Sequence, residues 1–200
     1  MKKSKVLSAS VVDLLYQSLE TELGGVEIYR TALECARNKE LTKEWEKYLD
    51  ETENHLEIMR GVLADLQLDP EKDTPGRAVV RHIGKSLCKA MQLAKGGDDP
   101  ATAELVAAEC VTLAETKDHL NWELLSKVSE GRLVESRVLA EAVARIEDEE
   151  DEHLYHTSGW TRELWIKALG MKAVLPPPEE KREVKTMGEA ALAKEERTEG

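Results

Sequence analysis

Three segments of the chain repeat one arrangement of side chains: Glu51-Thr-Glu-Asn-His55-Leu, Glu115-Thr-Lys-Asp-His119-Leu and Glu149-Glu-Asp-Glu-His153-Leu. In each, a histidine follows a carboxylate by four residues. Positions i and i+4 of an α-helix lie on one face, so each segment can aim an oxygen and an imidazole nitrogen at one point. That is ligand geometry for a metal ion, and carboxylate with neutral imidazole suits iron or manganese. Two carboxylates stand out by their surroundings. Glu150 and His153 form Glu-x-x-His and continue the apolar stripe of Leu139, Val143, Ile146 and Trp160, while Glu22 falls between Leu19 and Val26 on another stripe. A carboxylate on a buried stripe costs several kcal/mol unless it is paired or metal-bound. His82, on a connecting helix, and His156, one turn beyond His153, are read as lying outside the site.

The elements that must position these groups are long helices. The first runs from about Ser10, its expected N-cap, to Arg37, with Val12, Leu15, Leu19, Val26, Tyr29 and Leu33 on one face. The second runs from about Thr42 to Leu68 and stops before Asp69-Pro70; the short Asn38–Leu41 connection makes the two an antiparallel hairpin. A polar stretch leads to a shorter amphipathic helix carrying Val80, Ile83, Leu87 and Met91. Asp98 or Asp99 then caps a fourth helix, with Pro100 at its first position, that reaches about Val128. Glu130-Gly131 breaks it, and the fifth runs from about Leu133 to Leu169, with Gly170 as its stop. Two hairpins, 10–68 and 100–169, joined through a crossing helix predict an all-α four-helix bundle over residues 1–175. Residues 176–200 open with three prolines and continue Lys/Glu-rich, which predicts a disordered charged tail.

The formal charge of −12 argues against a nucleic-acid partner and suits a site that collects cations. The start, Met1-Lys-Lys-Ser-Lys5, is basic, but Ser8 and Ser10 interrupt the apolar residues that follow it. Neither a signal peptide nor a membrane span is predicted, and the expected location is cytoplasmic. Cys35, Cys88 and Cys110 are widely spaced, contain no CxxC and read as reduced, mostly buried thiols.

Over roughly residues 10–169 the chain resembles the ferritin-like superfamily. Glu22-Leu-Gly-Gly-Val-Glu-Ile-Tyr29 is similar to the first helix of bacterioferritins and rubrerythrins, and Glu150-Asp-Glu-His153 to their final Glu-x-x-His. The crossing helix, the Ala-rich fourth helix and the tail also resemble YciF-like stress proteins. The resemblance implies two transition-metal ions, iron before manganese, held by Glu22, Glu51, His55, Glu115, His119, Glu150 and His153. It implies ferroxidase or peroxide-handling chemistry on O₂ or peroxide, with an external reductant because no CxxC pair is present. A non-enzymatic stress protein using the bundle for dimerisation or partner binding is the alternative, and a manganese-catalase-like enzyme the third. Two positions depart from the family's pattern. Thr52 stands where a carboxylate is expected three residues before His55, so Glu51 or Glu53 must substitute, and Thr116 stands nearest the expected partner of Glu22. Tyr29 reads as core or as a hydrogen-bond donor to the site, and Trp122, Trp160 and Trp165 read as core or helix contacts.

Overall fold

A computed structural model describes residues 7–131 and 134–198; the basic start and Leu133, the expected beginning of the last long helix, lie outside them. The helices are α1 Ala9–Leu33, α2 Lys39–Asp65, α3 Pro75–Lys95, α4 Pro100–Ser129, α5 Val134–Ala168, α6 Pro178–Lys181 and α7 Met187–Thr198. The described residues contain no strand, and none of their helices is long and apolar enough to cross a membrane. Side-chain oxygens set the helix starts. Ser8, rather than Ser10, accepts from the Val11 amide, and Asn38, Thr74 and Asp99 cap α2, α3 and α4 in the same way. Pro75 and Pro100 occupy first-turn positions where no amide is needed.

Helices α1 and α2 pack as one hairpin and α4 and α5 as another; α1 also packs on α4 and α2 on α5, while α3 crosses α1 and α4. Buried carboxylates fasten this frame, each with partners. Glu104 accepts from the Arg37 and Asn38 amides at 2.7 and 2.6 Å, closing the α1–α2 turn. Glu20 receives Arg77 at 2.6 Å and Arg81 at 2.7 Å, tying α3 to α1.

The apolar interior has two parts. Tyr29, Trp45, Tyr48, Val111 and Trp160 belong to one cluster, and Leu19, Met59, Trp122, Leu125, Val143 and Ile146 to the other. Between them along α2, α4 and α5 lie Thr52, His55, Glu115, Asp118, Glu150 and His153, all buried. On α4 the inward face runs through Val111, Glu115, Asp118, Trp122 and Leu125. Thr116 is exposed, which corrects the expectation that it occupies the stripe. The cause is misleading hydrophobicity: Leu113, Leu120 and Leu124 point outward and are 61, 46 and 42% exposed.

The segment after Pro176, expected to be a disordered tail, is helical and packed against α5. Composition underestimates its docking because the contacts are polar or small. Arg162 donates two parallel bonds to the buried Glu179 at 2.5 and 2.9 Å. Val184, Ala190 and Ala193 pack with Tyr155. A Cβ on Gly159 would meet Glu179 Oε2 at 2.7 Å, so glycine is what lets the tail approach α5. The Trp160 indole donates to Glu180, whose carboxyl is pushed up to about 7 by burial and then by the charge of Glu44.

Truncation after Leu175 is therefore expected to lower Tm by roughly 4–8 °C, corresponding to about 2 kcal/mol; an unchanged Tm would show that the tail contributes nothing. Because folding raises the Glu180 pKa, docking through it is favoured below about 4.5 and weakens as pH rises through about 7. The Trp160 indole ¹H resonance should titrate with a midpoint near 7 and lose that transition in Glu180→Gln. A midpoint at the ordinary carboxylate pKa would contradict the packing.

Candidate metal centre

Two donor triads share one residue. Glu22, His55 and Glu150 bring ligand atoms within 4.8 Å of one another, and so do Glu115, Glu150 and His153. Each triad takes a terminal carboxylate from one helix, an imidazole from another, and Glu150 in common. All five side chains are buried.

What distinguishes these groups from the frame carboxylates is satisfaction. Glu20 and Glu104 meet guanidinium or amide donors, whereas Glu22 Oε2, Glu115 Oε2 and Glu150 Oε2 have no hydrogen-bond partner. The same holds for His55 Nδ1 and His153 Nδ1, which face the carboxylates. His55 Nδ1 lies 2.8 Å from Glu150 Oε1, off the line a hydrogen bond needs, and His153 Nδ1 lies 3.6 Å from Glu115 Oε2. Buried polar atoms in proteins are almost always paired, so this convergence of polar atoms without hydrogen-bond partners is a property of the site.

The far nitrogen of each histidine is held from the opposite helix. His55 Nε2 meets Glu149 Oε2 at 2.6 Å, and His153 Nε2 meets Glu51 Oε2 at 2.9 Å. Helices α2 and α5 thus exchange carboxylates: each Glu-x-x-x-His segment supports its partner's imidazole rather than its own. Carboxylates behind an imidazole fix its orientation and raise its basicity as a ligand. Trp122 does the same for Glu22, donating to its Oε1 at 2.8 Å.

Of the seven residues expected from the sequence, Glu22, His55, Glu115, Glu150 and His153 converge as inner donors, and Glu51 stands behind His153. His119 stands apart. It is half-exposed, its Nε2 lies 2.6 Å from Asp151, and it lines a surface cleft of about 50 Å³ together with Trp122, Glu147 and Glu150. Four residues on from the inward Glu115, a helix has turned about 40° past a full turn, which carries His119 to the edge. Glu53 is exposed and paired with Arg30. Thr52 donates to the Tyr48 carbonyl and supplies no ligand. Sequence reasoning missed Glu149, the tie between Trp122 and Glu22, and Asp118. Asp118 is 5% exposed with Oδ1 unpartnered, one turn from Glu115. Tyr29 lies edge-on to His153 at 6.3 Å, its hydroxyl buried and unpartnered.

The surroundings favour the protonated forms of these groups. Burial, followed by the charge of Glu150, pushes Glu22 up to about 8. Burial opposes protonation of the histidines, but the surrounding carboxylates outweigh it and raise His55 to about 9 and His153 to about 10. Burial and then the charge of Glu22 hold Asp118 well above the usual carboxylate range. A cation among these groups would relieve the same repulsion.

No family model matches the chain, and no curated protein or solved structure is significantly similar to it.

Asp118 carries an unpaired buried carboxyl with no structural partner for that oxygen, so Asp118→Asn is expected to stabilise the metal-free protein by about 1–3 kcal/mol, read as a higher Tm in chelator. A lower Tm would mean that Asp118 holds the fold rather than the site.

Proposed function

We propose that the chain is a ferritin-like protein that holds two transition-metal ions, iron before manganese, between α1, α2, α4 and α5. The observation that carries this reading is the set of buried oxygens and Nδ1 atoms without hydrogen-bond partners centred on Glu150, in a fold where the buried Glu20, Glu104 and Glu179 all meet donors. Glu22 and His55 would hold one ion, Glu115 and His153 the other, and Glu150 would serve both. Two such ions supply two-electron chemistry towards O₂ or peroxide.

The chain's own residues prepare the site. Glu149 and Glu51 keep Nδ1 of each imidazole turned inward, Trp122 orients Glu22, and the two apolar clusters exclude water from either side. The acidic cleft beside His119, which Glu150 also lines, would give cations an approach to the centre. With Thr52 in place of a carboxylate, three inner carboxylates, Glu22, Glu115 and Glu150, would serve the ions, and the buried Asp118 on α4 could add a fourth. This donor set would suit ferroxidase or peroxide-reducing activity, with electrons from an external donor or from Fe(II) itself.

Titration of the protein with Mn(II) and Fe(II) is expected to show two equivalents assigned to the Glu150 centre, which disappear in Glu150→Ala and His153→Ala. They should persist in His82→Ala and, with affinity changed less than about threefold, in His119→Ala. Fe(II) loading should consume O₂ or peroxide. Folded protein with no binding tighter than millimolar would overturn the reading in favour of a bundle without metal.

A further inference from the structure

One turn further along α5 a second donor set stands apart from the first. Glu44 of α2 and Glu152 and His156 of α5 bring one ligand atom each within 4.8 Å of one another. His156 is 2% exposed; its Nδ1 lies 2.9 Å from both Glu44 Oε1 and the Tyr48 hydroxyl. Its Nε2, across the ring from Glu44, is buried without a partner. The two glutamates are half-buried, which puts the set within reach of solvent. Lysine ammonium groups now meet their charge. Lys47 pairs with Glu152 and lies 3.7 Å from Glu51, while Lys185 of the tail lies 3.8 Å from Glu152.

We propose that Glu44, Glu152 and His156 form a mononuclear site for a divalent transition-metal ion, separate from the centre on Glu150. One imidazole and two carboxylates leave positions for water, the coordination such ions accept. Lys47 sits on a flexible stem and has Glu51 as a second partner, so its ammonium can withdraw when a divalent ion arrives. Tyr48 separates the two sites: its ring lies 4.1 Å from that of His153, and its hydroxyl bonds to Glu44 and to His156. Glu180, in the tail, adds a carboxylate near Glu44 and His156. The tail thereby covers a site built jointly by both hairpins.

Equilibrium dialysis of the full chain against Co(II) tests this. One equivalent should survive in Glu22→Gln/Glu115→Gln, which disables the centre. It should be lost or weakened at least about tenfold in Glu152→Gln and in His156→Gln. Lys47→Met should tighten it. If His156→Gln does not fold, Glu152→Gln near the surface gives the answer alone. An equivalent that vanishes with Glu22 and Glu115 but is indifferent to Glu152 would overturn this site and leave the centre standing. The reverse pattern would establish this site and remove the centre, and no bound Co(II) in any variant would overturn both.

Discussion

Desolvation of charge is the constraint on which the arrangement turns. Glu22, Glu115, Asp118 and Glu150 are carboxylates enclosed between two apolar clusters, and their mutual repulsion in that setting opposes folding. Burial and then the charge of Glu150 push Glu22 towards its protonated form, the surrounding carboxylates push His55 and His153 the same way against burial, and those protons would offset the repulsion. Replacing the whole layer by apolar side chains would make a more stable bundle. The layer has instead been furnished with inward-facing polar atoms that lack hydrogen-bond partners and with carboxylate supports behind both histidines, an arrangement that makes sense around cations.

The support of the histidines depends on two helices from different hairpins. Glu51 and His55 on α2 and Glu149 and His153 on α5 are related by the same spacing, and each glutamate crosses to the other helix. This exchange orients the rings and also ties α2 to α5, two elements without a direct chain connection. Glu20 on Arg77 and Arg81 and Glu104 on the α1–α2 turn do purely mechanical work, and they show what a satisfied buried carboxylate looks like in this fold.

Much of this was legible in the sequence. Stripes of apolar residues and a cap at Asp98 or Asp99 locate the long helices to within a few residues, and the place of Glu22, Glu150 and His153 on those stripes marks them as buried; the cap Asn38 reads in the sequence only as part of a connection. The phase of α4 was not legible, because Leu113, Leu120 and Leu124 face outward and draw the stripe towards Thr116. Nor was the destination of each Glu-x-x-x-His pair. Spacing shows that two side chains share a face, but Glu149 and Glu51 have the reach to serve the opposite helix, which only the packing reveals. The tail escaped for a third reason: it docks through the Arg162–Glu179 ion pair and alanines, neither of which produces a large apolar stripe.

The central claim is that two ions share Glu150, each bound through the Nδ1 of one histidine. Anomalous diffraction from crystals of Mn(II)-loaded protein measures this directly. The account predicts two peaks flanking the Glu150 carboxylate, one bonded to His55 Nδ1 and Glu22, the other to His153 Nδ1 and Glu115. Loaded crystals with no peak between these side chains, or with ions bound instead at Nε2 beside Glu149 and Glu51, would contradict it.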